Sequence, residues 1–264
     1  MSISEVQTEF CLYWFVFCGI IMAGYFATAA GCYWLLYSAR GRRPSQPKSN
    51  QQRLSTIAAD IKLSILSVTL FALGAASFMT CYDRGITQVY THWQLKDLGY
   101  ILFSYGLVLL LQDTYFYFTH RLFHLPWLFQ WTHHGHHQSR PPTPWTFFAL
   151  DPMEAATQAS FLFCITFILP LHLGVLVAVL MTMTVWSTGN HLGLQVVPFS
   201  RISRWWGHWC IGSAYHLVHH RRFSQHYGLY FTFWDRLLGT QSAKYETQRL
   251  RSDNFQAEHA VDGT

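Results

Sequence analysis

Residues 120–137 read HRLFHLPWLFQWTHHGHH, and residues 216–220 read HLVHH. They contain three clusters of histidine: His120 with His124, then His133, His134, His136 and His137, then His216, His219 and His220. Imidazole is the commonest protein ligand for a metal ion, and residues three and four apart on a helix share a face. His120 and His124 are therefore expected to converge, as are His133 with His136 and His137, and His216 with His219 and His220. Each cluster then offers two or three nitrogens to one point. Eight such rings, with no cysteine among them, exceed what one zinc site uses and point to two metal ions. Imidazole suits zinc, copper, iron and nickel alike, so ligand type does not name the metal.

The surroundings of the clusters decide the class. Of 264 residues, 51% are hydrophobic and 17% aromatic while only 12% are charged, too few charges for a soluble surface of that size. The net charge of +5 sits in short runs beside apolar segments, such as Arg40-Gly41-Arg42-Arg43. These read as topology signals and not as a nucleic-acid surface. Apolar segments are expected over Phe10–Tyr37, Ile61–Thr80 and Leu98–Phe118, with a hairpin over Ala155–Thr188 broken at Pro170. Gly19, Gly24 and Gly31 soften the first segment as a helix, and without a basic start it reads as an anchor, not a cleaved signal. The run Ser38–Arg53 is expected to be a cytoplasmic loop, and counting crossings from it returns His120, His191 and all three clusters to that same side. The fold class expected is thus all-α: a polytopic membrane protein with transmembrane helices and a cytosol-facing, histidine-rich helical cap. Its divisions are residues 1–97, with the first helices and basic loop, 98–243, carrying the clusters, and a polar mobile tail, 244–264. Cys11, Cys18, Cys32, Cys81, Cys164 and Cys210 form no C-x-x-C pair and are expected to be buried small hydrophobes.

Residues outside the clusters extend the pattern. Asp113, Tyr115 and Tyr117 lead into His120-Arg121-x-x-His124; Pro142-Thr143-Pro144 and Asp151-Pro152-Met153-Glu154 follow the second cluster; and residues 227–240 read YGLYFTFWDRLLGT. Together, over roughly residues 113–240, they resemble the fatty acid hydroxylase and sterol desaturase superfamily of integral-membrane di-iron oxygenases. Acyl-lipid desaturases also carry three histidine boxes, but they typically end differently. The resemblance implies two iron ions held by His120, His124, His133, His136, His137, His216, His219 and His220, with His191 as an additional ligand. His134 falls between the motif positions and is expected to point toward solvent or substrate. His208 is undecided, His226 stays outside the ligand set, and His92, His172 and His259 read as ordinary polar side chains. Asp113 is the candidate catalytic residue: two helical turns before His120, it is placed to orient a ligand imidazole, with a capping or interhelical bond as the alternative. Asp235, Arg236 and Glu154 read as fixing the cap and not as performing chemistry.

The chemistry implied is oxidation of an unactivated lipid C–H bond with O₂, ending in an alcohol or an alkene. No NADPH, flavin or haem motif is visible. Electrons are therefore expected from a partner, which the resemblance implies is a b-type cytochrome or a ferredoxin with its reductase, steered to a basic rim. Sterol-like lipids are favoured over acyl amides, in the endoplasmic reticulum or a bacterial inner membrane. Two alternatives stay open: oxidative cleavage of alkylglycerol ethers or fatty aldehydes on the same scaffold, and a zinc-binding membrane hydrolase or structural protein. An H-E-x-x-H motif, a G-x-S-x-G elbow and a phosphate loop are all absent from the sequence.

Overall fold

The computed structural model describes residues 2–39, 50–192 and 206–247. Within them the chain is helical, and two isolated bridges, Tyr90 with His172 and Cys210 with Phe231, are the whole of its β structure. Helix α1 spans Ile3–Tyr33 and begins in a capping box, in which the Ser2 hydroxyl accepts from Glu5 N and Glu5 answers the Ser2 amide. It runs unbroken through Gly19, Gly24 and Gly31 into a π turn over Trp34–Ala39, because a long apolar sequence packed on a neighbour overrides the propensity of three residues. Next come α2 (Asn50–Asp83), α3 (Leu98–Phe123), α4 (Pro126–Thr132), α5 (Pro152–Ile168) and α6 (Leu173–Asn190). The last described helices are α7 (Ser213–Arg222) and α8 (Phe233–Leu237).

Among the described residues, four segments are long and apolar enough to cross a membrane: Ile3–Leu36, Gln51–Asp83, Leu95–Phe123 and Leu173–Asn190. Leu12, Phe15, Ile20, Leu102, Phe103 and Val185 face outward from them with more than half their surface open. In lipid that arrangement costs nothing, whereas in water it would be an aggregation surface. The expected break falls at Pro170, between α5 and α6, and there the His172 ring caps α6 by accepting from Gly174 N at 3.0 Å. Of the expected loop over 38–53, Asn50–Arg53 already belong to α2, and the basic run 40–43 lies outside the described residues. So does His259, with the tail beyond residue 247. The cysteines correct an expectation. All six are free thiols, but only Cys210 is buried, and Cys11 and Cys164 are exposed. In a lipid-facing helix, apolar character places a residue outside as readily as inside.

Packing runs in sequence from α1 to α2, α2 to α5, and α3 to both α5 and α6. Val108, Ile165, Leu171, Val175 and Val179 close the contact of α3 with α5 and α6, and Phe71, Ala155 and Ala159 that of α2 with α5. Because α3 and α6 end at the same end of the bundle that α2 and α5 start from, the segment 133–150 is laid across that end. Buried Asp60, near the start of α2, holds it by accepting from Ser139 Oγ at 2.5 Å and Thr146 Oγ1 at 2.8 Å. Tyr25 of α1 adds a bond from its hydroxyl to Trp145 O at 3.1 Å.

Asp60→Ala leaves both hydroxyls without that acceptor and is expected to cost about 2 kcal/mol or more of stability. Thermal unfolding in detergent, with limited proteolysis inside residues 139–148, checks it; an unchanged midpoint and cleavage pattern would remove Asp60 as the anchor.

Candidate metal centre

The histidines of the three clusters do not meet as clusters. They divide into two pockets, one of His120, His124, His133, His137 and His219, the other of His136, His191, His216 and His220. Within each, one nitrogen from every ring lies within 4.8 Å of the others. The expectation that each cluster aims at one point is corrected by two local geometries. On α7, His216 and His220 are one turn apart and share a face, while His219, about 100° round the helix from His220, faces the other pocket. In the second cluster α4 stops at Thr132, His133 leaves helical geometry, and a 3₁₀ turn over His136–Gln138 sends the neighbouring rings of His136 and His137 to opposite pockets. Gly135 lets the Asp151 carboxylate approach that turn closely, since a Cβ there would lie 2.6 Å from Asp151 Oδ1.

The outward nitrogens fix the inward ones. The Nδ1–H groups of His120, His136, His191 and His219 donate to the carbonyls of Tyr227 (2.9 Å), Ala149 (2.9 Å), Ser187 (2.7 Å) and Gln225 (2.9 Å). A carbonyl only accepts, so each ring carries its proton on Nδ1 and turns a bare Nε2 lone pair inward. His191 Nε2 and His136 Nε2 then face each other at 3.3 Å with no proton between them. His120 and His133 meet through their Nε2 atoms at 2.9 Å, His137 and His219 at 3.0 Å, His191 and His216 at 3.1 Å, and His216 and His220 at 3.0 Å. The facing lone pairs of His136 and His191 repel unless a cation lies between them. Nitrogens about 2.1 Å from a common metal stand about 3.0 Å apart at right angles and about 3.4 Å apart in a tetrahedron, so the spacing fits a metal ion in each pocket.

Eight of the nine rings are buried, and His124 is half-buried. Burial pushes His133, His136, His137, His216, His219 and His220 below the ordinary imidazole value, His191 to about 3 and His124 to about 2. The rings are thus neutral at physiological pH, the form that ligates. The C-termini of α3, at His124, and of α6, at His191, point here, and their unpaired carbonyls favour a cation.

Asp113 meets no imidazole among the described residues. Two turns from His120 on the same face, it lies about 10 Å deeper along α3. There its Oδ1 accepts from the amides of Leu229 (3.2 Å), Tyr230 (2.7 Å) and Phe231 (3.1 Å). Asp235 grips the same segment from the other side, accepting from Tyr227 N at 2.8 Å and Gly228 N at 3.0 Å. Gly228 is required, because a Cβ would fall 2.5 Å from Phe231 O. His134 packs on Phe129 outside both pockets, and His208 sits beside Arg236 and Glu246. Buried His226 is a pin, its Nδ1–H donating to Tyr215 O and its Nε2 accepting from Ser242 N, both at 2.9 Å.

Sequence reasoning underrated Glu154. Its Oε2 lies 2.7 Å from His133 Nδ1, and both side chains are buried. The available signal was a carboxylate in the first turn of an otherwise apolar helix, a costly placement without a partner.

The fatty acid hydroxylase family profile matches residues 105–240. A delta(7)-sterol 5(6)-desaturase of Gibberella zeae is 29% identical over 82% of this chain and 58% of its own length. The lathosterol oxidases of Rattus norvegicus and Homo sapiens are 28% and 30% identical, each over 82% of this chain and 70% of the relative. The chain thus spans 58% of the first relative's length and 70% of the two oxidases. No solved structure matches.

Acid should destabilise the metal-stripped chain. Unfolded imidazoles take up protons near 6.5, while the buried folded ones do not, so the unfolded state binds more protons as pH falls. The stability is present above about 6.5 and is lost below it, at up to about 1.4 kcal/mol per pH unit for each ring that must stay neutral. Thermal midpoints in detergent between pH 8 and pH 5 measure this; a flat profile would place the rings in water.

Proposed function

The chain belongs to the fatty acid hydroxylase family, and from that premise and the two pockets we propose that it is a membrane-bound oxidoreductase that oxidises a lipid C–H bond with O₂. The observation that carries the proposal is the pair of bare Nε2 atoms on His136 and His191, in one of two pockets built of converging histidine nitrogens. Nine neutral nitrogens with no thiolate or carboxylate among the converging atoms suit a redox-active borderline metal, and iron fits both the donor set and the family. Two iron ions, when bound, supply the electrons that reduce O₂ and the oxidising power that attacks an unactivated C–H bond.

The chain's own residues hold, orient and shield. His120, His124, His133, His137 and His219 hold one ion, and His136, His191, His216 and His220 the other. Backbone carbonyls fix the ring planes of His120, His136, His191 and His219 through Nδ1, so those four ligands need no reorganisation on loading. Phe129, Phe223 and Tyr227 pack against His124 at ring-centroid distances of 5.3, 6.2 and 5.3 Å and keep water from the first pocket. His124 is the one ligand with partial exposure, so O₂ and the lipid carbon reach the centre beside it. The exposed apolar faces of Leu122 and Leu125 flank that approach, and they suit a substrate arriving sideways from the bilayer.

The sterol-acting relatives favour a sterol-like substrate, with either hydroxylation or desaturation as the outcome. Electrons would come from an external b-type cytochrome or ferredoxin with its reductase, the donors that the family resemblance implies. The pockets then face the cytoplasm, in the endoplasmic reticulum or a bacterial inner membrane.

Protein purified from iron-replete membranes should contain about two irons per chain with a coupled Mössbauer signal. His137→Ala and His219→Ala should lower metal content and abolish lipid oxidation together. Zinc alone in the purified protein, with no oxygen uptake on adding reductant and lipid, would sink the oxygenase reading. Full turnover in both variants would remove those two residues from the ligand set.

A further inference from the structure

The two pockets differ in one respect that their ligand lists conceal. In the second pocket the outward nitrogens of His136 and His191 bond to neutral carbonyls, at 2.9 and 2.7 Å. In the first, those of His120 and His219 do the same, but His133 Nδ1 bonds to the Glu154 carboxylate at 2.7 Å. Among the described residues this is the one carboxylate hydrogen-bonded to a ring of either pocket. Asp151, the nearest other acid, spends its Oδ2 on the main-chain N–H of His136 at 3.1 Å and so acts on the turn, not on a ring.

A carboxyl acceptor on the far side of a ligating imidazole fixes the ring's orientation and increases the electron density at its inward nitrogen, most strongly when a cation on that nitrogen holds the carboxyl ionised. Glu154 is 2% exposed, so water screens the effect little. It is also placed by the scaffold: it sits in the first turn of α5, with Ala155 packed on α2. We propose that Glu154 is a positioning residue acting through His133, and that it makes the two metal positions unequal, the five-histidine pocket filling first and holding its ion more tightly. The inference rests on the metal-centre reading above and deepens it by ranking the two positions.

Cobalt(II) titration of the metal-stripped full chain in detergent tests this without any turnover. The wild type should take up two equivalents in two resolved steps. Glu154→Gln keeps the size and one acceptor oxygen but not the charge, and it should weaken the tighter step about 10-fold to 100-fold while leaving the other unchanged. In a His133→Ala background the same substitution should add nothing, which a merely structural role for Glu154 would not produce. If Glu154→Gln fails to fold by circular dichroism, Glu154→Asp, which keeps the charge at a longer reach, should weaken the same step by a smaller factor. Two equivalents bound with both steps untouched, or both weakened alike, would overturn the proposal while leaving the metal centre standing. A wild-type chain that takes up no cobalt would overturn both.

Discussion

Lone-pair repulsion among buried imidazoles is the constraint on which the rest of this molecule depends. Nine rings are packed so that their inward nitrogens nearly touch, and four of them are forced by carbonyl acceptors to present no proton there. Such a cluster does not assemble for hydrophobic reasons. Each ring gives up hydration on burial, and the converging lone pairs oppose one another until a cation joins them. The fold therefore supplies the organisation from outside, using helix ends. His124 caps α3, His191 caps α6, and the carbonyls of Ala149, Tyr227 and Gln225 come from turns that the neighbouring helices pin in place.

Those turns are pinned mainly by buried carboxylates, of which Asp113 and Asp235 bond to main-chain amides and a hydroxyl. Asp60 fixes the segment that carries Ala149, while Asp113 and Asp235 grip the segment that carries Tyr227 from opposite sides. A carboxylate with two or three amide donors is satisfied without a counter-ion, so it can stay buried where an ion pair would demand a second desolvated charge. Helix α3 thus does two things along one face. Near its end it presents His120 to the first pocket, and two turns deeper it holds the loop whose Tyr227 carbonyl orients that same ring. The spacing of seven residues between Asp113 and His120 joins these two tasks and explains why Asp113 belongs to the pattern although it touches no imidazole.

The legible part of the structure was what periodicity and hydropathy report directly. The helices, the break at Pro170 and the return of all three clusters to one end of the bundle follow from segment lengths and apolar runs. The two-pocket count followed from the number of rings. What stayed hidden depended on irregular backbone. A helical spacing rule sends His133, His136 and His137 to one place, but Pro126–Thr132 ends as a helix just before them, and the turn at Gly135 splits the group. His191 lies too far along the chain from any cluster for spacing to implicate it, and only the family pattern marked it. Glu154 was underrated because its partner is 21 residues away, across a turn no local rule predicts. The cysteines were misplaced for a different reason: in a membrane helix, apolar character no longer separates inside from outside.

The split of neighbouring histidines has a mechanical consequence. His136 and His137 are adjacent in sequence yet serve different pockets, and so are His219 and His220. The wall between the pockets is therefore made of two covalently continuous pairs, with ring centroids 5.7 Å apart in the first and 6.0 Å in the second. A backbone shift that opens one pocket must move a ligand of the other. The separation of the two positions is set by peptide geometry at two points, not by loop packing. An arrangement in which each cluster served a single point, as helical spacing suggested, would lack these links. This one links the two positions through the backbone at both His136-His137 and His219-His220.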